Sequence, residues 1–318
     1  MSSIAKSAMC IACDPATPEA ITALRARPGF EQAIRTSAAG LIAMYQGGHL
    51  HNWLMDDRGR LLFAYFALYL DALRDPADPS SGLTPTRMRT LVAEYDICSP
   101  GRATAMLSLM RFGGYLAPDI QVADRRQRRL VATDKLNDLL RERWRVHFNA
   151  MAPLLPDGDA ILAALDDPAV RRALVIGMVE RFRAGFRFIS HAPGLGLFGE
   201  RNAGLFILMT LITAGEADDS VPPSRPVPMS MAALARRFRV SRPHVLKLIR
   251  DAADGGFIER VGQDGGRVIV RPRLAEATQI FFATMYLFFA DSAREAMRAV
   301  ERQGRALPES VEKDPAKS

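Results

Sequence analysis

Four blocks of this sequence occur twice, in the same order and at a nearly constant separation. Residues 20–35 (AITALRARPGFEQAIR) match residues 160–175, and residues 99–116 (SPGRATAMLSLMRFGGYL) match residues 241–258. Between them, DRGRLLFAYFALYL resembles ERNAGLFILMTLIT, and a histidine precedes each of these segments. Several blocks that keep both order and spacing indicate internal duplication, which restricts the chain to two similar units. The predicted units are 17–155 and 156–300, followed by a polar tail at 301–318.

Each copy is predicted to be almost entirely helical. Two helices lead, an apolar helix and a turn-rich loop follow, and then come two helices, a hairpin and a closing helix. Beyond the pair that precedes each hairpin, the helices are predicted at 18–24, 29–46, 61–73 and 134–150, and at 159–165, 169–190, 203–214 and 274–300. The predicted fold class is therefore mainly α with small β-hairpin wings.

The clearest local pattern lies in the second copy, at VSRPHVLKLIRDAADGGFIERV. Ser241 is suited to cap a helix, because its hydroxyl can accept from an amide of the first turn. Four aliphatic residues between 245 and 252 recur at three- and four-residue spacing, which predicts a buried stripe. Two glycines end the helix, and RVGQDGGRVIVR predicts a hairpin. Helix, tight turn, helix and hairpin together predict a winged helix-turn-helix at about 228–273.

Burial of that stripe turns basic side chains of the same helix outward. Arg242, His244 and Lys247 then lie on the solvent side of its N-terminal half, which is the part that meets base edges in a major groove. Arg260, Arg267 and Arg271 on the hairpin are predicted to reach the DNA backbone or a minor groove. Residues 229–273 hold ten Arg and Lys against four Asp and Glu, a net charge of +6. A solvated helix face is the alternative explanation of the same pattern.

The first copy repeats these parts with different surface chemistry. Ser99 is the predicted cap of the second helix, and Arg102 is its one strong candidate for base contact. The predicted hairpin tip in VADRRQRRLVATDKLNDLL carries a cluster of arginines suited to a narrow minor groove. These arginines are Arg125, Arg126, Arg128 and Arg129. A winged helix is thus also predicted at about 83–133.

DRRQRRLVATDKLNDLL resembles the wing and following helix of MarR-family transcriptional regulators, and LARRFRVSRPHVLKLIRDAADGGFIERV resembles their recognition region. The resemblance covers about 50 residues of each copy. Asn137 stands where the family usually has glycine, and the second wing has a glycine-rich tip with Arg267 alone. The resemblance implies that Ser241, Arg242, Pro243, His244 and Lys247 face DNA in the second copy. In the first copy the resemblance implies that the residues facing DNA are Ser99, Pro100, Gly101, Arg102, Arg125, Arg126 and Arg128.

Members of that family are usually homodimers that bind double-stranded DNA and often small aromatic acids. The resemblance thus implies tandem winged domains packed with long helices, as a monomeric pseudo-dimer or a homodimer. The main candidate residues for a small aromatic effector are His51, Trp53 and His191, and the two histidines occupy comparable places in the two copies. Further candidates are His49, Tyr65, Tyr69, Phe186, Phe188 and Phe198. Ordinary core packing is the alternative for all of them.

Composition narrows the remaining functions. Hydrophobic residues make up 48% and charged residues 24%, which is typical of a soluble globular protein. The net charge of +7 favours a polyanionic partner. Cys10, Cys13 and Cys98 are too few for a disulfide framework, which together with the absence of a convincing signal peptide predicts a cytoplasmic protein. The ten apolar residues 61–70 are too few for a membrane span.

No catalytic or metal-binding motif stands out. The CxxC of Cys10 and Cys13 has no second Cys/His pair, and APGLGLFGE lacks the features of a phosphate loop. We therefore expect no cofactor, no metal and no enzymatic activity. The predicted function is sequence-specific regulation of transcription through two unequal DNA-binding units, with response to a ligand. The alternative is a winged-helix docking module that binds protein without specific DNA contact.

Overall fold

A computed structural model describes residues 14–45, 48–75, 77–78, 80–120, 129–262 and 266–306. Within these ranges the protein is mainly helical, with two small antiparallel sheets. The elements up to the middle of the chain are α1 (Pro18–Arg25), α2 (Phe30–Met44), α3 (His49–Met55), α4 (Arg58–Ala72), α5 (Pro85–Glu94), α6 (Pro100–Phe112), β1 (Leu116–Pro118), β2 (Leu130–Ala132) and α7 (Asp134–Met151). They continue with α8 (Gly158–Ala164), α9 (Pro168–Arg183), α10 (Phe188–His191), α11 (Gly196–Gly199), α12 (Gly204–Thr213), β3 (Val227–Pro228), α13 (Met231–Phe238), α14 (Arg242–Asp254), β4 (Ile258–Val261), β5 (Arg267–Val270) and α15 (Pro272–Ala306).

Side-chain caps fix where many helices begin. In each case a hydroxyl or carboxylate oxygen accepts from a backbone N–H of the first turn, which satisfies a donor with no partner inside the helix. Such caps begin α1, α4, α5, α6, α9, α13 and α14, at Thr17, Asp57, Thr84, Ser99, Asp167, Ser230 and Ser241. The predicted caps at Ser99 and Ser241 are confirmed.

Two of the predicted helices differ by six or more residues at one end. The helix predicted at 169–190 ends at Arg183, because Gly185 adopts a φ of +104° that a continuing helix does not allow. The closing helix predicted at 274–300 is longer, since α15 runs from Pro272 to Ala306. Residues 301–306 of the expected polar tail therefore belong to α15, and the rest of that tail lies outside the described residues.

Two similar groups of elements flank the helical core. The first unit comprises α5, α6, β1 and β2, with Leu116 opposite Ala132 in the hairpin. The second unit comprises β3, α13, α14, β4 and β5, with Ile258 opposite Val270. A third short segment pairs with the last strand of each hairpin: β3 pairs with β5, and a single bridge joins Leu83 to Leu130.

The long helices form the core between these units. Helix α2 packs on α7 and on α12, and α9 packs on α15 and on α4. Helix α1 packs on α15, and α8 packs on α7. Aromatic side chains fill the middle, where Tyr286 donates a hydrogen bond to the carbonyl of Ala33 at 2.9 Å. The helices thus connect early and late parts of the chain in one continuous core.

Candidate nucleic-acid interface

The buried stripe predicted for the second unit is confirmed on α14. Val245, Leu248, Ile249 and Ala252 are all fully buried against α13 and the hairpin. Gly256 ends the helix with a φ of +69°, the left-handed conformation that glycine adopts without strain. This packing fixes which side of α14 meets solvent.

The exposed side of α14 is cationic near its N-terminus. Ser241, Arg242 and Lys247 are exposed, as is Arg250 one turn further on. The Lys247 side chain is 71% exposed, and its Nζ lies 3.5 Å from an Asp251 carboxylate oxygen. An exposed pair at this distance contributes little stability and leaves the ammonium available to a phosphate. The predicted outward orientation of Arg242 and Lys247 therefore agrees with the structure.

His244 differs from the prediction. It is half-buried, and its Nε2 donates to the backbone carbonyl of Asn202 at 3.0 Å. The neighbouring Arg201 forms an ion pair with Asp251 on the same helix. The loop after α11 thus covers one flank of α14 and engages the imidazole that the sequence assigned to DNA.

The hairpin of the second unit adds exposed arginines beside α14. Arg260 and Arg267 are exposed, and Arg267 also donates to the carbonyl of Pro226 at 2.7 Å. Arg271 forms an ion pair with Glu259 across the two strands. Arg267 therefore lies on the surface, as predicted, close to the start of β3.

The first unit has the same frame but a less cationic helix. Ser99 accepts from the backbone N–H of Arg102 at 3.3 Å, and Arg102 is exposed. Arg102 lines a polar cleft of about 280 Å³ together with Arg58 and Glu200. Four arginines and two carboxylates line the cleft, so basic groups outnumber acidic ones there.

Of the four arginines predicted at the tip of the first hairpin, the structure describes only Arg129. Arg125, Arg126 and Arg128 lie outside the described residues. Arg129 corrects the prediction, because it is only 6% exposed and its Nε donates to Asp119 at 2.7 Å. Asp119 lies just after β1, so this buried pair holds the base of the hairpin together. A buried guanidinium that is already paired is not available to DNA.

Large apolar side chains occupy the surface of the first unit. Phe112 at the end of α6 is 90% exposed, and Ile120 after β1 is 94% exposed. Leu109 on α6 is also exposed. No comparable residue is exposed in the described part of the second unit. The sequence places Ala103, Met106, Leu107 and Met110 in the buried stripe of α6, as the structure confirms, but it gives no role to the three exposed residues.

The three residues predicted for an effector do not meet at one cavity. Half-buried His51 lies on α3, where burial lowers the pKa of its imidazole. Trp53 lies beneath the Arg60 guanidinium, 4.8 Å from the ring centre. His191 lies on α10 with its Nε2 3.1 Å from an Asp14 carboxylate oxygen. None of these three lines the apolar cavity of the core, whereas Tyr65, Phe186 and Phe188, which were also candidates, do.

That cavity has a volume of about 230 Å³ and lies among α2, α4, α7, α9, α12 and α15. Phenylalanines dominate its lining, and Tyr65, Arg143 and His147 are polar groups on the α4 and α7 side. Four charged residues also line it: Asp56, Arg58, Arg187 and Arg201. The sequence prediction missed Arg143 and His147, although a signal exists. Both continue the buried stripe of Leu136 and Leu140 at helical spacing, so α7 must turn them inward.

The described residues contain no cluster of three or more His, Cys, Asp or Glu side chains arranged to hold a metal ion. In the same ranges, no single helix has both the length and the apolar composition to cross a membrane. One bent pair, Pro193–Gly199 with Gly204–Thr213, satisfies those criteria jointly and turns by 110° at its break.

The chain matches no protein-family model, no curated protein and no solved structure. The site therefore has to be interpreted from its own geometry.

Proposed function

We propose that this protein is a regulator that binds double-stranded DNA mainly through its second unit, as a MarR-like winged helix-turn-helix. The observation that carries the proposal is the orientation of α14, whose fully buried aliphatic side leaves Arg242 and Lys247 in solvent beside Arg267 of the hairpin. Cations on the N-terminal half of such a helix are where base edges and phosphates are met. Release of counterions from phosphates supplies most of the attraction.

Matching backbone details support the proposed duplication. The turn between the paired helices has one left-handed non-glycine residue in each unit, Asp96 and Arg239, with φ of +50° and +54°. Each second helix ends at a left-handed glycine, Gly114 and Gly256. The strand after that glycine is tied to the next strand in the same way, by Thr133 N–H to the Tyr115 carbonyl and by Arg271 N–H to the Phe257 carbonyl.

The packing of the core is consistent with a pseudo-dimer. If α1, α2, α4 and α7 correspond to α8, α9, α12 and α15, the most extensive contacts have counterparts. The contact of α2 with α12 corresponds to that of α9 with α4, and α1 on α15 corresponds to α8 on α7. Exchanged contacts of this kind are typical of a two-fold interface. One chain then presents two units, with half-site centres about 10 bp apart if both meet one face of a duplex.

The loop after α11 supports a ligand-responsive mechanism. Arg201 pairs with Asp251 on α14, and the Asn202 carbonyl accepts from His244. Gly199 and Arg201 also line the apolar cavity of the core. A ligand that moves this loop would therefore change contacts on the flank of the proposed DNA-binding helix.

Selection of binding sites from random duplexes tests the proposal. We expect an enriched sequence that the full chain retains in a gel shift, with affinity that falls steeply as salt rises from 50 to about 200 mM. We also expect an imperfect palindrome, because the surfaces of the two units differ. The proposal would be contradicted if the selection enriched no sequence, or if the affinity did not depend on salt.

Docking to another protein is the second candidate, and the exposed Phe112 and Ile120 favour it for the first unit alone. Apolar side chains of this exposure are characteristic of interaction sites rather than of free surface. Phe112→Ser with Ile120→Ser tests this candidate, because neither change touches the buried stripe of α6. If the first unit docks protein, the double variant keeps its DNA affinity and loses self-association or partner binding in sedimentation. A loss of DNA affinity would instead assign these residues to the DNA surface.

A further inference from the structure

The central cavity of the core is lined by a half-buried arginine with no described carboxylate paired to it. Arg143 projects from α7 into the cavity, and its Nη1 has neither exposed surface nor a hydrogen-bond partner among the described residues. No described Asp or Glu forms an ion pair with it. Burial lowers the pKa of this guanidinium, as expected for a charge removed from water. Such a group is costly unless an anion pairs with it.

A second donor lies beside this arginine. The hydroxyl of Tyr65 accepts from the Trp144 indole N–H at 2.9 Å and interacts with Arg143. The hydroxyl hydrogen itself is donated to no acceptor within the described ranges. Arg143 and Tyr65 can therefore both donate to one acceptor group in the cavity.

The third polar group is His147, one turn after Arg143 on α7. Tyr286 uses its only hydroxyl hydrogen on the Ala33 carbonyl, so Ser37 donates to Tyr286 at 2.7 Å. Ser37 then accepts from Nδ1–H of His147 at 3.4 Å, which leaves Nε2 as an acceptor with no partner. Burial holds the pKa of His147 well below its usual value, so the ring is neutral.

The wall of the cavity that α15 forms is apolar. The hairpin registers place Ala132 and Val270 at corresponding positions, an offset of 138 residues. With this offset, Phe281 and Met285 of α15 correspond to Arg143 and His147 of α7, and all four line the cavity. The proposed duplication has thus given one side of a single cavity polar groups and the other side aromatic and aliphatic ones.

We propose that this cavity binds an organic monocarboxylate with an apolar body, whose carboxylate accepts hydrogen bonds from Arg143 and Tyr65. The body lies against the phenylalanines and Met285. A volume of 230 Å³ corresponds to roughly eight water molecules in the liquid, so the ligand is a small acid of about ten non-hydrogen atoms. The inference stands independently of DNA binding.

Calorimetry and thermal unfolding of the full chain test the proposal with octanoate, phenylpropionate and their neutral analogues octanol and phenylpropanol. We expect at least one acid to bind and to raise Tm by about 5 °C at a hundred-fold excess over Kd. The matching alcohol should bind at least ten-fold more weakly, because it cannot neutralise the buried guanidinium. The preferred acid tells whether the apolar body is a chain or a ring. No binding by either acid, or equal binding of the alcohols, would overturn the proposal.

Arg143→Met supplies the matched variant, and Arg141→Met on the exposed side of α7 is its control. We expect Arg143→Met to weaken binding of the acid at least ten-fold. The same variant should keep or raise Tm without ligand, because it removes an unpaired buried charge. Arg141→Met should change neither quantity by much. Unchanged acid affinity in Arg143→Met would refute the assignment, and if that variant fails to fold, the comparison of acid with alcohol on the wild type decides.

Discussion

Helix α14 of the second unit turns Arg242 and Lys247 to solvent, whereas α6 of the first unit exposes the apolar Leu109 and Phe112 beside its two arginines. Both helices begin at a serine cap and bury an aliphatic stripe, and both end at a left-handed glycine. The shared features are those that fold the unit, and the differing features lie on its solvent-exposed surface. The comparison shows that the same local arrangement of helices and strands can expose different side-chain chemistry at its surface.

The largest expected effect is a loss of unfolding free energy when the core of either unit is truncated, and it should be similar in the two units. Leu107→Ala on α6 and Leu248→Ala on α14 each leave a cavity at a buried position, and we expect each to cost about 2–5 kcal/mol of unfolding free energy. Leu109→Ala at the surface of α6 is the control, with an expected cost below about 1 kcal/mol. Urea denaturation measures all three. A cost below about 1 kcal/mol for Leu107→Ala would mean that the first unit lacks the packed core of the second.

A second comparison uses two arginines at corresponding strand positions. Arg129 is buried against Asp119, whereas Arg267 is exposed and donates to a backbone carbonyl. We expect Arg129→Ala to destabilise the fold by about 3 kcal/mol, because it leaves a buried carboxylate with weaker compensation. Arg267→Ala should cost less than about 0.5 kcal/mol. Thermal unfolding of both variants measures these losses of stability. Equal losses would contradict a structural role for Arg129 and a surface role for Arg267.

These two arginines also show where prediction from sequence stops. Helical spacing fixes the buried stripes of α6 and α14, because the period of 3.6 residues leaves one side inward. A run of arginines at a hairpin carries no such period, so the inward turn of Arg129 depends on Asp119 across the strands. The engagement of His244 by Asn202 is likewise a contact between distant segments. The sequence shows Arg143 and His147 as polar residues within an otherwise apolar stripe. It cannot show that they line a cavity, because that cavity forms only when α15 packs nearby.

The loops before the two units offer a smaller and pH-dependent contrast. Burial opposes ionisation of Asp219, but hydrogen bonds from Ser224, Arg225 and Ser220 outweigh it and lower the pKa of Asp219 to about 2. Asp78 in the first loop is exposed, and its pKa is lowered chiefly by hydrogen bonds from Ser80. Asp219 therefore secures its loop more firmly than Asp78 does.

The sign of the effect follows from the lowered pKa. Ionised Asp219 stabilises the fold above the unfolded-state pKa of about 4, and this contribution is lost as pH falls toward about 2. We expect Asp219→Asn to cost about 1–2 kcal/mol at pH 7 and to flatten the dependence of stability on pH between about 4 and 2. Asp78→Asn should have a smaller effect on both. An unchanged pH profile in Asp219→Asn would show that these hydrogen bonds do not stabilise the loop.

The affinity of matched charge variants for one duplex tests the central claim most directly. Arg242→Ala with Lys247→Ala removes two cations from α14, and Arg102→Ala with Arg111→Ala removes two from α6, all at exposed positions. On the duplex selected by the wild type, we predict that the second-unit pair weakens binding about 100-fold and the first-unit pair less than about five-fold, with Tm unchanged in both. Equal losses, or a larger loss from the first-unit pair, would contradict the assignment of DNA binding to the second unit.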